Sequence, residues 1–589
     1  MIFRTLSEYY EKLEGTSKRL EMIDILSKLF KEADASEIGK ICYLIQGRVA
    51  PFFEPVEIGM AESMVAQAIG KAYDSTSPRL RGVKKTKEEV LKLYRQKGNM
   101  GLAAKELAQR SQLTVHSSQS VSQVFDKLLS IAKFSGKGTV EQKVSTLAGV
   151  LKSLDPTSVK HVVNIPMGTL RLGIGDPTVL DALSIAKTGD KKLRPVLEDA
   201  YNKTSDLGYV AETFFKRGEN GIKELKLVVG KPVRPALAER LPNAEEAVKR
   251  LGGEFAAEPK FDGFRVAVHK NGDRIELFSR NLEDTTHAFP DLVGGVAKEV
   301  KAKTAILEGE AIAYNPVTSE FLPFQETTKR RRKYKIEEMT KKLPLVLFAF
   351  DLLYLNGRDV TEKPYRERRK LLESIIHKDS KVVRLAEERI LHTAQEITKF
   401  FNEEISEGLE GLMLKKLDSP YVAGGRGFHW IKFKRSQAGE LNDTVDCVLL
   451  GVYAGRGKRT EFGVGGLLVG IYDEKKDEFV TISRVGTGLT DEEFRQVKVI
   501  SDKLQVTRKP ARVNSKVEPS FWVEPKVVIE IYADEITKSP IHTAGWDGQS
   551  GFALRFPRLV KFREADKRAE DCTTVAEIEK MYKQQYKKK

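Results

Sequence analysis

Residues 258–281 read EPKFDGFRVAVHKNGDRIELFSRN. Two runs alternate apolar and polar residues on either side of Asn271-Gly272, the pair best able to adopt the positive φ angles of a type I′ turn, so the segment is predicted to be a β-hairpin. Lys260 leads it within a Lys-x-Asp-Gly sequence, and Arg265 lies just beyond Gly263. Alone, four letters with one wildcard carry little weight, because a turn containing Asp-Gly is usually only a turn.

Upstream of this hairpin, from Met1 to about Leu225, apolar residues recur at three- and four-residue spacing, as in Ser17 to Ala33 and Val121 to Ile131, which predicts helices. In RLGIGDPTVLDAL, Gly173 and Gly175 interrupt the chain, Asp176 is expected to cap the next helix, and Pro177 suits its first turn. Around Gly230 the character changes to short β-branched and aromatic runs. LPLVLFAFDLLYL, from Leu343 to Leu355, reads as a strand buried on both faces. After about Arg435 strand follows strand, in TVDCVLLGVYAG, GGLLVGIYDEKKDEFVTISRVG and KVVIEIYADEIT, which suits a small β-barrel. The end, KMYKQQYKKK, reads as a frayed basic tail. At 589 residues the chain exceeds the roughly 250–300 residues one core supports, and three domains are expected: 1–225, 226–435 and 436–589.

Composition is that of a folded protein, 41% hydrophobic and 31% charged. A net charge of +16 attracts polyanions, without excluding simple solubility. Cys42, Cys447 and Cys572 are too far apart for a CxxC pair or a four-ligand zinc site. The N-terminus lacks a signal-peptide core and no apolar run is long enough to span a membrane, so an intracellular, reducing environment is expected.

Further segments follow Lys260 in order: SRN at Ser279–Asn281, LEGE at Leu307–Glu310, FAFDLLY at Phe348–Tyr354, EGLMLKK at Glu410–Lys416, WIKFK at Trp430–Lys434 and RFPR at Arg555–Arg558. Each supplies a group that nucleotidyl transfer needs. A neutral lysine amine attacking an α-phosphate gives a reactive phosphoramidate, and neighbouring cations would both lower its pKa and neutralise phosphate oxygens. Period-two spacing puts Lys432 and Lys434 on one strand face, able to aim at one triphosphate, although a surface strand would read the same way. Glu310 and Glu410 lie in apolar surroundings, where an ionised carboxylate needs a cation such as Mg²⁺ or a neighbouring lysine.

This ordered set resembles the covalent nucleotidyltransferases, and over nearly the whole chain is most similar to the three-domain ATP-dependent DNA ligases of the archaeal and eukaryotic replicative type. QGRVAPFFEPVEIGMAES after Gln46 and MGTLRLGIGDPTVLDAL after Met167 resemble that family's DNA-binding domain. The resemblance implies a multi-domain fold: an all-α N-terminal domain, an α+β nucleotidyltransferase (ATP-grasp-like) domain and a C-terminal OB-fold β-barrel. It implies ATP and Mg²⁺ as cofactors, nicked double-stranded DNA as partner, a monomer, and a sliding clamp as a further candidate partner. Lys260 would carry AMP. Glu258 would read the adenine edge and Phe350 stack on the base, although so apolar a strand normally buries its phenylalanine in the core. Arg265, Arg280, Arg426 in a glycine-rich loop, Lys432 and Lys434 would contact ribose and phosphates. Glu310 would lie near ribose and metal, Glu410 at the metal, and Arg555 and Arg558 would orient pyrophosphate if the barrel closes, turning about a hinge near Lys434 to Glu440. KRRRKYK at Lys329–Lys335 is a candidate DNA-backbone contact or a solvated charge run. AGRGKRTEFGVGG lacks P-loop spacing and reads as a hairpin, and His429 as structural. An RNA ligase, a GTP-using capping enzyme and a catalytically silent nucleic-acid clamp remain alternatives. NAD is disfavoured, because the four-cysteine zinc element of NAD-dependent ligases is absent.

Overall fold

The computed structural model describes residues 1–73, 83–111, 119–170, 172–241, 243–315, 321–322, 327, 329–330, 335–406, 409–434, 444–455, 463–486, 489–563 and 567–586. Most of the expected hinge, residues 331–334 of the basic run and the Gly-rich hairpin tip at 456–462 therefore lie outside the described residues. The chain separates into two compact units, Met1–Tyr201 with Asp206–Leu225, and Asn202–Ser205 with Lys226–Lys589.

The first unit is helical, from Phe3–Glu14 to Leu207–Lys223. The helix expected over 17–33 spans Arg19–Glu32, and the one over 121–131 spans Val121–Lys133. Its ends follow local chemistry: Ser120 and Gln123 form a capping box, and Asp155 accepts from the N–H groups of Thr157 and Ser158 ahead of Pro156. One expectation needs correcting. Helix Asp176–Thr188 is preceded by Gly175 at its N-cap, and the Asp176 carboxylate instead accepts from Gln46 Nε2 at 3.0 Å and Tyr201 Oη at 2.7 Å. Two long-range donors outcompete the local cap.

The second unit begins with two sheets built from β1 (Leu237–Arg240), β2 (Phe255–Lys260), β3 (Phe264–Asn271), β4 (Arg274–Ser279), β5 (Thr304–Ala313), β6 (Leu345–Leu355), β7 (Arg358–Asp359), β8 (Val383–Leu385), β9 (Arg389–Leu391), β10 (Gly411–Lys416) and β11 (Arg426–Lys434). One sheet runs β1-β11-β10-β2-β9; the other runs β4-β3-β5-β6-β7, with β8 beside β6. The β3–β4 hairpin forms, but its loop is Gly272-Asp273, closed by the Asn271–Arg274 pair. Gly272 alone takes positive φ, 59°, so the turn has II′ rather than I′ character, with glycine where φ must be positive.

Both sheets sort their side chains by alternation. Phe255, Ala257, Leu412, Leu414 and Ile431 face one apolar core with helices Ala244–Leu251 and Ala394–Ser406. Phe264, Val266, Leu307, Ala311, Leu347 and Ala349 face another with helix Pro290–Glu299. The intervening residues, including Glu258, Lys260, Arg265, Glu310, Phe350 and Lys432, are left for the opposite faces. Of the basic run, Arg330 is buried and pairs with Asp291 at 2.7 Å, so it is no DNA contact.

The C-terminal part contains β12 (Val445–Ala454), β13 (Val464–Asp473), β14 (Glu478–Val485), β15 (Gln505–Val506), β16 (Val513–Asn514), β17 (Phe521–Val523), β18 (Val528–Tyr532), β19 (Glu535–Ser539), β20 (Gly551–Arg555) and β21 (Arg558–Phe562). Its main sheet runs β15-β17-β12-β13-β14-β16, with β18 pairing both β12 and β21. The pure strand pattern expected here is interrupted by helices Asp491–Leu504 and Val575–Tyr586. The latter corrects the frayed-tail reading over residues 580–586, with 587–589 outside the described residues: Ile578 is fully buried in the core of the C-terminal strands, with Met581 and Tyr582 against it. No described helix is long and apolar enough to cross a membrane, and the three cysteines are buried free thiols.

Gly309, inside LEGE, lies where a Cβ would come within 2.8 Å of Leu347 Cδ1 and of the Phe348 carbonyl oxygen. Gly309→Ala is expected to destabilise the protein by about 1–3 kcal/mol through overpacking, read as a lower urea midpoint. An unchanged midpoint would contradict this close approach.

Candidate active site

β2 and β10 run antiparallel with Lys260 opposite Gly411, and the Glu410 N–H donates to the Lys260 carbonyl at 3.0 Å. This register brings the Glu410 carboxylate to the Lys260 ammonium, and the two form an ion pair. The immediate ion partner of Lys260 is thus an acid, although cations from both sheets line the same pocket. Glu258, Lys260, Arg265, Arg280, Glu310, Phe350, Arg426 and Lys432 line a single pocket between the inner faces of the two sheets. Lys434 ends β11, and its side chain lies outside the description.

Arg265 is opposite Glu310 across β3 and β5, yet its guanidinium is committed to Glu308, one alternation earlier, and donates to the Ala236 carbonyl at 3.1 Å. Burial would lower its pKa, but Glu308, followed by Tyr421, raises it above the ordinary value. Its guanidinium carbon is 5.3 Å from the Phe350 ring centroid and 5.4 Å from that of Trp430. Phe350 is half-buried at the pocket wall, its ring edge-on to Trp430 at 5.9 Å. Arg426 opens β11 instead of lying in a loop, because β1 pairs with it there.

Glu258 is buried. It accepts from Tyr365 Oη at 2.6 Å and pairs with Lys415 at 2.7 Å. Helix Tyr365–Ile375, which carries Tyr365, is braced to β6 by a two-pronged Arg368–Asp351 pair, 2.8 and 2.9 Å, with both side chains fully buried. Neither Tyr365 nor Lys415 was nominated from the sequence. Lys415 stands in EGLMLKK two residues from Met413 and faces the pocket by alternation, a signal that was available.

The C-terminal part also reaches this pocket, but not through RFPR. Arg555 is exposed and pairs with Glu535 across β19 and β20, Arg558 is exposed at the start of β21, and neither lines the pocket. The side chains that arrive are instead Arg563, Lys567 and Asp571, beyond the end of β21. Arg563 pairs with Glu530 at 3.0 Å and Lys567 with Asp446. Arg280 lies 3.8 Å from Asp571, and Arg426 2.6 Å from Glu577 on the last helix.

The chain matches the families described as DNA ligase N terminus over residues 2–184, ATP dependent DNA ligase domain over 235–434, and ATP dependent DNA ligase C terminal region over 460–567. It is 50% identical to a probable DNA ligase of Dictyoglomus turgidum, covering 100% of this chain and 99% of that protein. It is 41% identical to DNA ligase 2 of Thermofilum pendens, covering 99% and 98%. This chain belongs to the ATP-dependent DNA ligase family. It is an enzyme that forms phosphodiester bonds in DNA. Its architecture is that of the family's three-part enzymes: helical N-terminal region, nucleotidyltransferase domain and C-terminal β domain. A solved mycobacterial DNA ligase D complexed with ATP and MES is 26% identical, with a TM-score of 0.35, covering 58% of this ligase and 97% of that chain.

The Arg426–Glu577 contact carries a pH dependence. Burial alone would push the Glu577 carboxyl up, but Arg426, then Arg240 and Lys432, hold it down at about 2 against an ordinary 4.5. A depressed carboxyl stabilises the fold fully above the unfolded value, and the contribution is lost as pH falls from about 4.5 toward 2. Glu577→Gln should therefore lower the urea midpoint at about pH 7, with the gap to the unaltered chain narrowing on acidification. A gap independent of pH would contradict this pairing.

Proposed function

We propose that Lys260 is the residue adenylated by ATP, and that it passes AMP to the 5′-phosphate of nicked duplex DNA. What supports this reading is the convergence on Lys260's pocket of Arg265, Arg280, Arg426 and Lys432 from the two sheets and of Arg563 and Lys567 from the C-terminal part. Such a set suits a triphosphate, since phosphoryl transfer is mainly positioning and charge neutralisation.

In the first step the Lys260 ammonium gives up a proton to water as its pair with Glu410 separates. The amine nitrogen then bonds to the α-phosphorus, and the bond to the bridging oxygen breaks, releasing pyrophosphate. A 5′-phosphate oxygen next takes AMP from Lys260. The 3′-hydroxyl oxygen finally bonds to the phosphorus of the 5′-phosphate, giving its proton to water, the bond from that phosphorus to the oxygen bridging to AMP breaks, and AMP departs with the strand joined. Arg563 and Lys567 are assigned to the pyrophosphate in place of Arg555 and Arg558. Glu258 and Phe350 are assigned to the base, Arg265 and Arg280 to ribose and phosphates, and Arg426, Lys432 and Lys434 to phosphates. The divisions at 225/226 and 435/436 belong to the same reading.

Glu310, which lines the pocket, and Glu410, which reaches it through its pair with Lys260, suit Mg²⁺, because they offer hard carboxylate oxygens and no histidine or cysteine lines the pocket among the described residues. When bound, Mg²⁺ would neutralise charge on the phosphates. Lys260 can exchange Glu410 for a phosphate, and the carboxylate it leaves then needs another cation.

Lys260→Ala should abolish labelling by α-labelled ATP; undiminished labelling would refute the assignment. Arg563→Ala with Lys567→Ala should slow adenylation by about a hundredfold while affecting the sealing of a chemically 5′-adenylated nick far less. Equal losses in both assays would remove these cations from the first step. Comparing ATP with GTP and nicked DNA with nicked RNA separates the reading from an RNA ligase or a capping enzyme.

A further inference from the structure

Lys415 is only 1% exposed, a depth at which an ammonium is tolerated only with close partners. Its Nζ pairs with Glu258 Oε2 at 2.7 Å and donates to the Phe350 carbonyl at 2.9 Å. It also lies 4.9 Å from the Phe350 ring centroid and 4.7 Å from those of Tyr365 and Trp430. One charge thus ties together the two groups assigned to the base, the Glu258 carboxylate and the strand carrying Phe350.

The other Glu258 oxygen is less securely held. Tyr365 Oη lies 2.6 Å from it but also 2.5 Å from Glu388, and a phenol has one proton to give. Arg369 Nη1 is further away, at 3.8 Å. The groups facing Glu258 are therefore Lys415 on β10 and Tyr365 and Arg369 on one helix, with Glu388 competing for the tyrosine. Burial pushes the Glu258 carboxyl up, and Lys415 is the foremost opposing charge, ahead of Arg369 and Tyr365.

We propose that Lys415 is a positioning residue for nucleobase choice, its ammonium holding Glu258 as an ionised, acceptor-only carboxylate that favours a base offering an amine at that edge, adenine, over one offering a carbonyl, guanine. An ionised carboxylate can only accept, whereas a protonated one also donates and would serve a carbonyl. A site built around one hydrogen-bond polarity rejects the other strongly, because the mismatch leaves buried polar groups unpaired. The inference rests on the adenylation reading of Lys260.

The test measures kcat/KM for nucleotidylation of the full chain with ATP and with GTP, identifying Lys260-bound AMP or GMP by mass, across a pH series. In Lys415→Met the ATP:GTP ratio should fall by about tenfold or more at neutral pH and recover as the pH rises and Glu258 ionises. Lys415→Arg, which keeps the charge, should hold the ratio within about threefold of the unaltered chain. A Lys415→Met protein that labels with an unchanged ratio at every pH would overturn the inference and leave the adenylation reading standing. Should Lys415→Met fail to fold by circular dichroism, Lys415→Gln decides, since it keeps a polar side chain there without the charge: a fallen ratio that recovers as the pH rises supports the inference and an unchanged one overturns it. An unaltered chain that gains no nucleotide at Lys260 overturns both.

Discussion

A cation drawn out of water must find an anion close by, and the pocket is organised around that requirement. Lys260 meets Glu410, Arg265 meets Glu308, Lys415 meets Glu258 and Arg426 meets Glu577. The cost of gathering positive charge in the pocket is offset by acids that the chain itself supplies. Because a buried pair loses more when one partner is removed than it gains by forming, each acid also fixes its partner's position. Arg265 illustrates this: paired with Glu308 and bonded to the Ala236 carbonyl, it can present only one edge to the pocket.

Strand register makes these pairs possible. Lys260 opposite Gly411, Glu258 opposite Met413 and Lys415 opposite Trp430 place one charged or aromatic set on the inner face of one sheet. A slip by one residue would turn Phe255, Leu412, Leu414 and Ile431 toward the pocket and the charges toward the apolar core, so the core's demand for apolar side chains enforces the geometry of the chemistry.

Much of this was legible from residue order. The β3–β4 hairpin, the buried strand Leu345–Leu355 and the helical first unit follow from periodicities of two and 3.6. What escaped the reading had specific causes. Glu308 and Glu310 share one face of LEGE, and nothing local says which of them takes Arg265. Helix Asp491–Leu504 is announced by a capping box at Thr490 and Glu493, a signal outweighed by the strands around it. The last helix was masked by its lysines, although Ile578, Met581 and Tyr582 recur at helical spacing. Arg563 and Lys567 carry no recognisable spacing to Lys260, because they meet it only through the fold of the C-terminal strands.

The compensating acids fall into two classes. Glu410, Glu308 and Glu258 belong to the same two-sheet body as the cations they neutralise, so those pairs persist wherever the C-terminal part lies. Glu577 and Asp571 belong to the C-terminal part, where they face Arg426 and Arg280, and Glu239 on β1 also acts on Arg426. Burial would push the Asp571 carboxyl up, but Arg568 and then Arg280 hold it well below the usual carboxylate range. Phosphate and carboxylate compete for the same guanidinium fork, so binding of phosphate at Arg280 or Arg426 must weaken the hold on the C-terminal acids. If the pocket takes phosphate as proposed, its occupancy and the docking of the C-terminal part would be linked through these two arginines, and by reciprocity each would alter the free energy of the other.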